Sequence, residues 1–237
     1  MTRRYRDFTL GPVSAELGVG VTALLGANGA GKSTLIRVLV GTEAPTSGTV
    51  RLSGARVAPH GAIGYLPQDF VGPKNVPTRD YLSFVAWCRS SRRRRLTGQD
   101  VDEALERVGL HDKAATRIGA LSGGMVRRLG VAQAILGGVD LLVLDEPTVG
   151  LDPMQRAELR ALITDLSRDT VVVMSTHLCE DVAAVASWVH VLAEGELRYD
   201  GPTVGLVEGV GLVEISTEAV EKGFLSAVHE EVAWRVA

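Results

Sequence analysis

Val21-Thr22-Ala23-Leu24-Leu25-Gly26-Ala27-Asn28-Gly29-Ala30-Gly31-Lys32-Ser33-Thr34 decides the fold. Val21 to Leu25 is a short apolar run of buried-strand type, Gly26 to Gly31 is a glycine-rich turn, and Thr34 to Val40 reads as a helix stopped by Gly41. Glycine, four residues, then Gly-Lys-Ser is the phosphate-binding P-loop pattern, here in the strand, loop, helix context it needs. Residues without Cβ let consecutive backbone N–H groups, through Ala27, Asn28, Gly29 and Ala30, converge into an anion nest. The helix opening at Lys32 adds the positive end of its dipole. Lys32 then bridges the β- and γ-phosphates, and the Ser33 hydroxyl ligates Mg²⁺.

Outward from this loop, short apolar runs at Ala62 to Leu66, Leu141 to Leu144 and Thr170 to Met174 alternate with amphipathic segments. That alternation predicts an α/β fold with a mainly parallel sheet wrapped by helices. Each run ends in polar residues at its carboxyl side, the edge where open α/β sheets bind ligands, so Gln68, Asp145, Glu146 and His177 are candidates for one crevice. Leu141 to Leu144 delivers two adjacent carboxylates at the end of a buried strand, which is costly unless a cation or a bound water is held there. Alternation along the strand sends the two side chains to different sides. Asp145 can then serve the Mg²⁺ shell while Glu146 polarises the attacking water.

Leu121-Ser122-Gly123-Gly124-Met125 opens a second helix, with Met125, Leu129, Ala132 and Leu136 at helical spacing. Ser122 is an N-cap, and the paired glycines leave amides uncovered for an anion. A second anion loop in a chain with one P-loop predicts that it serves the nucleotide of another copy, in a head-to-tail dimer with two shared sites.

The P-loop at Gly26, the glutamine in Tyr65-Leu66-Pro67-Gln68, the Leu121 to Met125 loop, the run ending Asp145-Glu146-Pro147, Gly150-Leu151-Asp152 and Ser175-Thr176-His177 occur in the order seen in ATP-binding cassette (ABC) proteins. From about Tyr5 to Gly201 the chain resembles an ABC transporter ATPase subunit, and around the signature it is similar to those paired with separate ABC-2-type exporter permeases. The resemblance implies a P-loop NTPase of ABC type, with an antiparallel β subdomain and a helical subdomain inserted in the sheet core. It implies ATP and Mg²⁺ as ligands. By matching position, Lys32, Ser33, Gly29 and Gly31 belong to the Walker A loop, whose span here is Gly26 to Thr34. Asp145 and Glu146 match the Walker B strand and its catalytic glutamate, and Gln68 matches the Q-loop residue that senses Mg²⁺. Ser122, Gly123 and Gly124 match the signature that closes over the γ-phosphate of the opposite subunit, Asp152 the D-loop residue, and His177 the switch histidine. The adenine-stacking ring implied by the family is Tyr5, with Phe8 as the alternative, because Phe8 and Leu10 fit an alternating core strand. Met125 stands where many cassettes have glutamine, which changes a ribose-side contact and leaves the backbone anion site.

The implied activity is ATP hydrolysis at the cytoplasmic face of the cell membrane, by a peripheral subunit that drives export through a separate integral-membrane permease. Import through another permease type is the alternative direction. The partner is a second cassette subunit, taken as an identical copy, and the cassette makes no direct contact with the transported substrate. A cassette ATPase acting on ribosome or DNA is the rival from another class; such members resemble fused cassettes or carry long coiled-coil insertions. The composition agrees, since 25 Lys plus Arg against 28 Asp plus Glu give a net charge of -3 and no global basic field for nucleic acid.

In 237 residues there is room for one substantial core. No apolar run approaches the roughly 18 residues of a membrane span, and the start of the sequence is read as carrying no secretion signal. Residues 1–205 are read as the nucleotide-binding domain, with a helical subdomain at about 76–119, and 206–237 as a small C-terminal extension. In the extension Val213 and Ile215 read as a strand, followed by a helix and a last β run at 232–236. Cys88 and Cys179 show no metal or redox spacing and are read as inert thiols. Arg89 to Arg95 holds five arginines in seven residues, read as a solvated loop or as a contact for an acidic partner or lipid headgroups. His60, His111, His190 and His229 have no carboxylate or cysteine pattern nearby and are given no role, and Trp188 and Trp234 are read as core-edge packing.

Overall fold

The computed structural model describes residues 1–52, 55–56, 62–91 and 94–229. Along the chain run β1 (Arg3–Arg4), β2 (Thr9–Leu10), β3 (Gly20–Leu25), α1 (Lys32–Leu39), β4 (Arg51–Leu52), β5 (Ala55–Arg56) and β6 (Ile63–Leu66). Next come α2 (Thr78–Arg89), α3 (Gly98–Arg107), α4 (Gly123–Ile135), β7 (Leu141–Asp145), α5 (Pro153–Leu166) and β8 (Val171–Thr176). The last elements are α6 (Cys179–Val185), β9 (Trp188–Ala193), β10 (Glu196–Pro202), α7 (Thr203–Glu208) and α8 (Thr217–Val228). The chain forms two compact units, one of Met1–Pro59 with Ile163–Ala237 and one of His60–Leu162.

In the first unit β3 lies between β8 and β9, parallel to both. Val21, Ala23, Leu24 and Leu25 are all buried, as a strand covered on both faces requires. β10 returns antiparallel to β9 through Glu194-Gly195, both at positive φ (51° and 82°), the pairing a two-residue hairpin turn demands. The β1–β2 and β4–β5 pairs are antiparallel. Together they make the mainly parallel α/β architecture with antiparallel additions that the sequence predicts.

The region past the strands differs from its sequence reading. Leu206, Val207, Ala219, Val220 and Ala227, from α7 and α8, share one buried apolar cluster with Ala23, Leu25, Val189 and Val191. Each fully buried Leu or Val there contributes about 1.5–3 kcal/mol. Val213 and Ile215 form no strand: they lie exposed in the connection between α7 and α8 and pair with no strand among the described residues. The β run expected at 232–236, Trp234 and His60 lie outside the described residues.

The second unit carries β6 and β7 as a parallel pair, with Ile63 opposite Leu141 and Leu66 opposite Leu144. The crossover between them is the helical insertion, α2, α3 and α4, packed on Leu82, Ala86, Val101, Leu105 and Leu129. Two glycines set its spacing. A Cβ on Gly64 would stand 2.3 Å from the carbonyl oxygen of Ala134, and one on Gly130 2.5 Å from Leu66. Asp100 anchors the start of α3 by accepting from the Thr97 amide and hydroxyl at 2.7 and 2.9 Å. Among the described residues no helix is long and apolar enough to cross a membrane.

Candidate functional site

In the first unit the turn after β3 is held open by backbone conformation. Gly29 and Gly31 sit at φ 84° and 110°, and a Cβ on Gly29 would meet nothing within 4 Å. A Cβ on Gly26 would lie 2.4 Å from the Leu192 carbonyl oxygen, so this glycine is required by close approach to β9. Ala30 is pinned from the far side, its carbonyl accepting from the Gly195 amide at 3.0 Å while the Gly195 carbonyl accepts from the Gly11 amide at 2.7 Å. The Lys32 side chain is buried and donates to the carbonyls of Gly26 and Ala27 at 2.7 and 3.1 Å. Ser33 is exposed in the first turn of α1, and Thr34 beside it is buried. The N-terminus of α1 and the Lys32 side chain thus meet at one turn, the features a phosphate chain requires.

His177 follows β8 and is exposed, while Thr176 ahead of it is buried and donates to Asp181 at 3.1 Å. Thr176 also accepts from the Leu178 amide at 3.0 Å, which fixes the backbone around the histidine. The Tyr5 hydroxyl hydrogen-bonds Glu43, and the Arg3 guanidinium lies 4.9 Å from the centre of the Tyr5 ring. Phe8 is half-buried, and its ring edge lies 3.1 Å from where a Cβ of Gly31 or Gly195 would stand. Phe8 is therefore packed against the phosphate loop and the hairpin turn.

In the second unit β7 is buried throughout and Asp145 closes it. Glu146 is also buried, but its backbone leaves the strand at φ 45°, a left-handed conformation unusual for a residue with a side chain. A backbone kink, rather than the strand alternation expected from the sequence, thus aims this carboxylate. Gln68 Nε2 donates to Glu146 Oε2 at 3.3 Å, which leaves the Gln68 amide oxygen as its acceptor end. Ser122 caps α4, its hydroxyl accepting from the Met125 amide at 3.3 Å, with Gly123 exposed beside it. Gly124 is buried against Gln155. The Asp152 carboxylate accepts from the Gln155 amide at 2.9 Å and so caps α5.

Some contacts escaped the sequence reading. His190 does have a carboxylate beside it: its Nε2 stands 3.1 Å from Asp200 Oδ1, to which the Trp188 indole also donates at 2.6 Å. The pair arises from cross-strand register, which sequence spacing does not display. Burial pushes the Asp200 carboxyl up, but His190 and Trp188 outweigh it and hold the group below its usual range. Arg89 is not in a solvated loop: it is half-buried and donates to the Gln133 and Ala134 carbonyls at 2.8 and 3.0 Å. Arg94 pairs with Asp100 at 3.4 Å, and Arg92 and Arg93 lie outside the described residues. Cys88 is exposed, whereas burial pushes the Cys179 thiol up to about 11.

The family model described as ABC transporter matches residues 12–149, more than half of the chain. The chain is 41% identical over 179 residues to the "Uncharacterized ABC transporter ATP-binding protein YxlF" of Bacillus subtilis, covering 76% of itself and 60% of that protein. It is 36% identical over 216 residues to "Nod factor export ATP-binding protein I" of Paraburkholderia xenovorans, covering 84% of itself and 66% of the relative. Against human "Phospholipid-transporting ATPase ABCA3" it is 32% identical over 196 residues, or 81% of this chain and 11% of that one. The chain thus spans less than two thirds of these curated relatives. A solved structure titled "Structure of ATP binding subunit of ABC transporter" superposes with a TM-score of 0.78 at 22% identity, covering 94% of this chain and 96% of that chain. That likeness speaks for the fold alone, and the fold, the order of the motifs and the family match lead to one conclusion: the chain belongs to the ABC transporter family.

Proposed function

We propose that this chain is the ATP-binding and ATP-hydrolysing subunit of an ABC transporter, powering export through a separate membrane permease by ATP-driven closure of two cassettes. The observation that carries the reading is the buried Lys32 ammonium, held by the carbonyls of an open glycine turn at the start of α1. A triphosphate takes over those bonds at little structural cost. The nucleotide-binding domain is 1–205, and 206–237 is an extension whose described part is the end of α7 with α8.

The amides from Gly26 to Thr34 hold the phosphates, Lys32 neutralises the β- and γ-phosphates, and Tyr5 stacks on adenine. Glu146 positions and deprotonates the attacking water, and Gln68 orients Glu146. His177 hydrogen-bonds the γ-phosphate. Ser122, Gly123 and Gly124 close over the γ-phosphate of a second copy, and Asp152 links the two sites. Ser33, Asp145 and Gln68 offer a hydroxyl, a carboxylate and an amide oxygen, all hard donors that fit Mg²⁺. When bound, Mg²⁺ supplies charge neutralisation on the transferred phosphoryl group. A γ-phosphate held by Lys32 of one copy and Ser122 of the other gives ATP, and not ADP, differential affinity for the closed dimer.

The partners in this reading are an integral-membrane permease and a second cassette, with the subunit peripheral at the cytoplasmic face of the membrane. Export rests on likeness around the signature and on the name of the Paraburkholderia relative. The test is the solution mass of the Glu146→Gln chain by light scattering, with Mg²⁺ and either ATP or ADP. A dimer with ATP alone is expected. A monomer in both overturns the homodimeric clamp and directs the search to a co-purifying membrane protein or a different cassette.

A further inference from the structure

Arg127, in the second turn of α4, has no part in the chemistry above and yet holds the backbone of the Gln68 loop. Its Nη1 donates to the Gln68 carbonyl at 2.7 Å and to the Pro67 carbonyl at 3.4 Å. The guanidinium is half-buried: burial pulls its pKa down, and the neighbouring Asp69 pulls it up. Gln68 is thus fixed twice, by its backbone to α4 and by its side chain to Glu146 at 3.3 Å. The far end of α4 is also tied, since Arg89 donates to the Gln133 and Ala134 carbonyls and the Tyr81 hydroxyl hydrogen-bonds the Gln133 side chain. Both ends of α4 are thus tied to neighbouring segments.

We propose that Arg127 is a positioning residue that locks the Gln68 loop to the signature helix, so that the orientation of Gln68 on Glu146 and the placement of the Ser122 amides change together. The proposal rests on the ATPase reading. A long cationic side chain donates to two successive carbonyls from one nitrogen and stays charged at any working pH, which an apolar side chain does not reproduce. Closure at the Ser122 end of α4 then pulls on Gln68 through a rigid linkage, giving hydrolysis a dependence on whether the second copy has arrived.

The test compares wild type, Arg127→Met and Arg127→Lys, each also in a Gln68→Ala background. A charge-assisted hydrogen bond that acts through Gln68 predicts about a tenfold loss of kcat in Arg127→Met, with KM for ATP and the melting temperature nearly unchanged. Arg127→Lys recovers much of the rate. With Gln68→Ala already present, Arg127→Met costs nothing further, because the group it orients is gone. Hydrogen exchange supplies a readout independent of turnover: the Gln68 to Phe70 amides exchange faster in Arg127→Met, while those of Leu129 to Ile135 do not. Unchanged exchange in the loop, or equal losses of kcat in both backgrounds with a lowered melting temperature, overturns the proposal. A wild-type chain that binds no ATP or never turns it over sinks the ATPase reading instead, and the exchange data still decide what Arg127 holds.

Discussion

At the scale of single residues, Glu146 combines burial, a left-handed backbone and a neighbouring amide donor. Glu146→Gln keeps the shape and the backbone and is expected to bind ATP while hydrolysing it at least about a hundredfold more slowly, measured by phosphate release and nucleotide retention. Full hydrolysis by this variant removes Glu146 from the role of base. The thiols separate by environment: Cys88 is exposed, and Cys179 titrates at about 11. Maleimide at pH 8 is expected to label Cys88 first, and Cys88→Ser to abolish the fast phase seen by mass spectrometry. Asp200 has its native pKa depressed by His190 and Trp188 after burial has worked against it, so its stabilising contribution is complete above the unfolded carboxylate value and is lost as the pH falls through the native one. Asp200→Asn should therefore lower the melting temperature at pH 7, with a gap to wild type that closes below about pH 4. Lys32, Ser33, Asp145, Glu146 and Ser122 stand out as candidates in the sequence because each lies in a contiguous motif. Those defined by partners across strands or helices, His190 with Asp200 and Arg127 with Gln68, do not, because register and helix packing decide them.

At the scale of elements, the sequence read β3, α1, β6, β7, β8 and α4 within a few residues, since the strands are short apolar runs ending in glycine or polar residues and the helices follow glycine-rich turns. It misread Val213 and Ile215, which lie exposed in the connection between α7 and α8 although their alternation suits a strand. The close seat of α4 on β6 was equally invisible, resting on missing atoms at Gly64 and Gly130. Gly64→Ala drives a methyl group toward a backbone carbonyl that cannot turn aside, and is expected to cost about 1–3 kcal/mol in urea unfolding. Gly123→Ala, with nothing within 4 Å of its new Cβ, serves as the control and should cost far less. Helices α7 and α8 place Val220, Ala227 and Leu206 in the same cluster as β3, so ending the chain after Pro202 should give a protein with lost cooperativity of unfolding rather than a trimmed cassette.

At the scale of the whole molecule, each of the two units holds one of the turns proposed to bind phosphate, the Lys32 loop in one and the Ser122 cap in the other. That distribution is what the clamp proposal exploits, and it makes association the informative property. Substituting Ser122→Arg together with Gly124→Asp should leave nucleotide binding by the monomer intact while abolishing the ATP-dependent dimer expected for Glu146→Gln. Unaltered turnover in the doubly substituted chain counts against shared sites. The hairpin turn at Glu194-Gly195 carries a constraint that has nothing to do with nucleotide chemistry. Position 195 needs a left-handed backbone and a bare Cα, since a Cβ would stand 2.1 Å from the Thr9 carbonyl oxygen. In a library of random variants screened for function it should tolerate no replacement, while position 194 accepts Asn or Asp. A geneticist ranking intolerant positions would then place Gly195 beside Lys32 as if it handled nucleotide, when its contribution is to let two loops distant in the gene lie against each other.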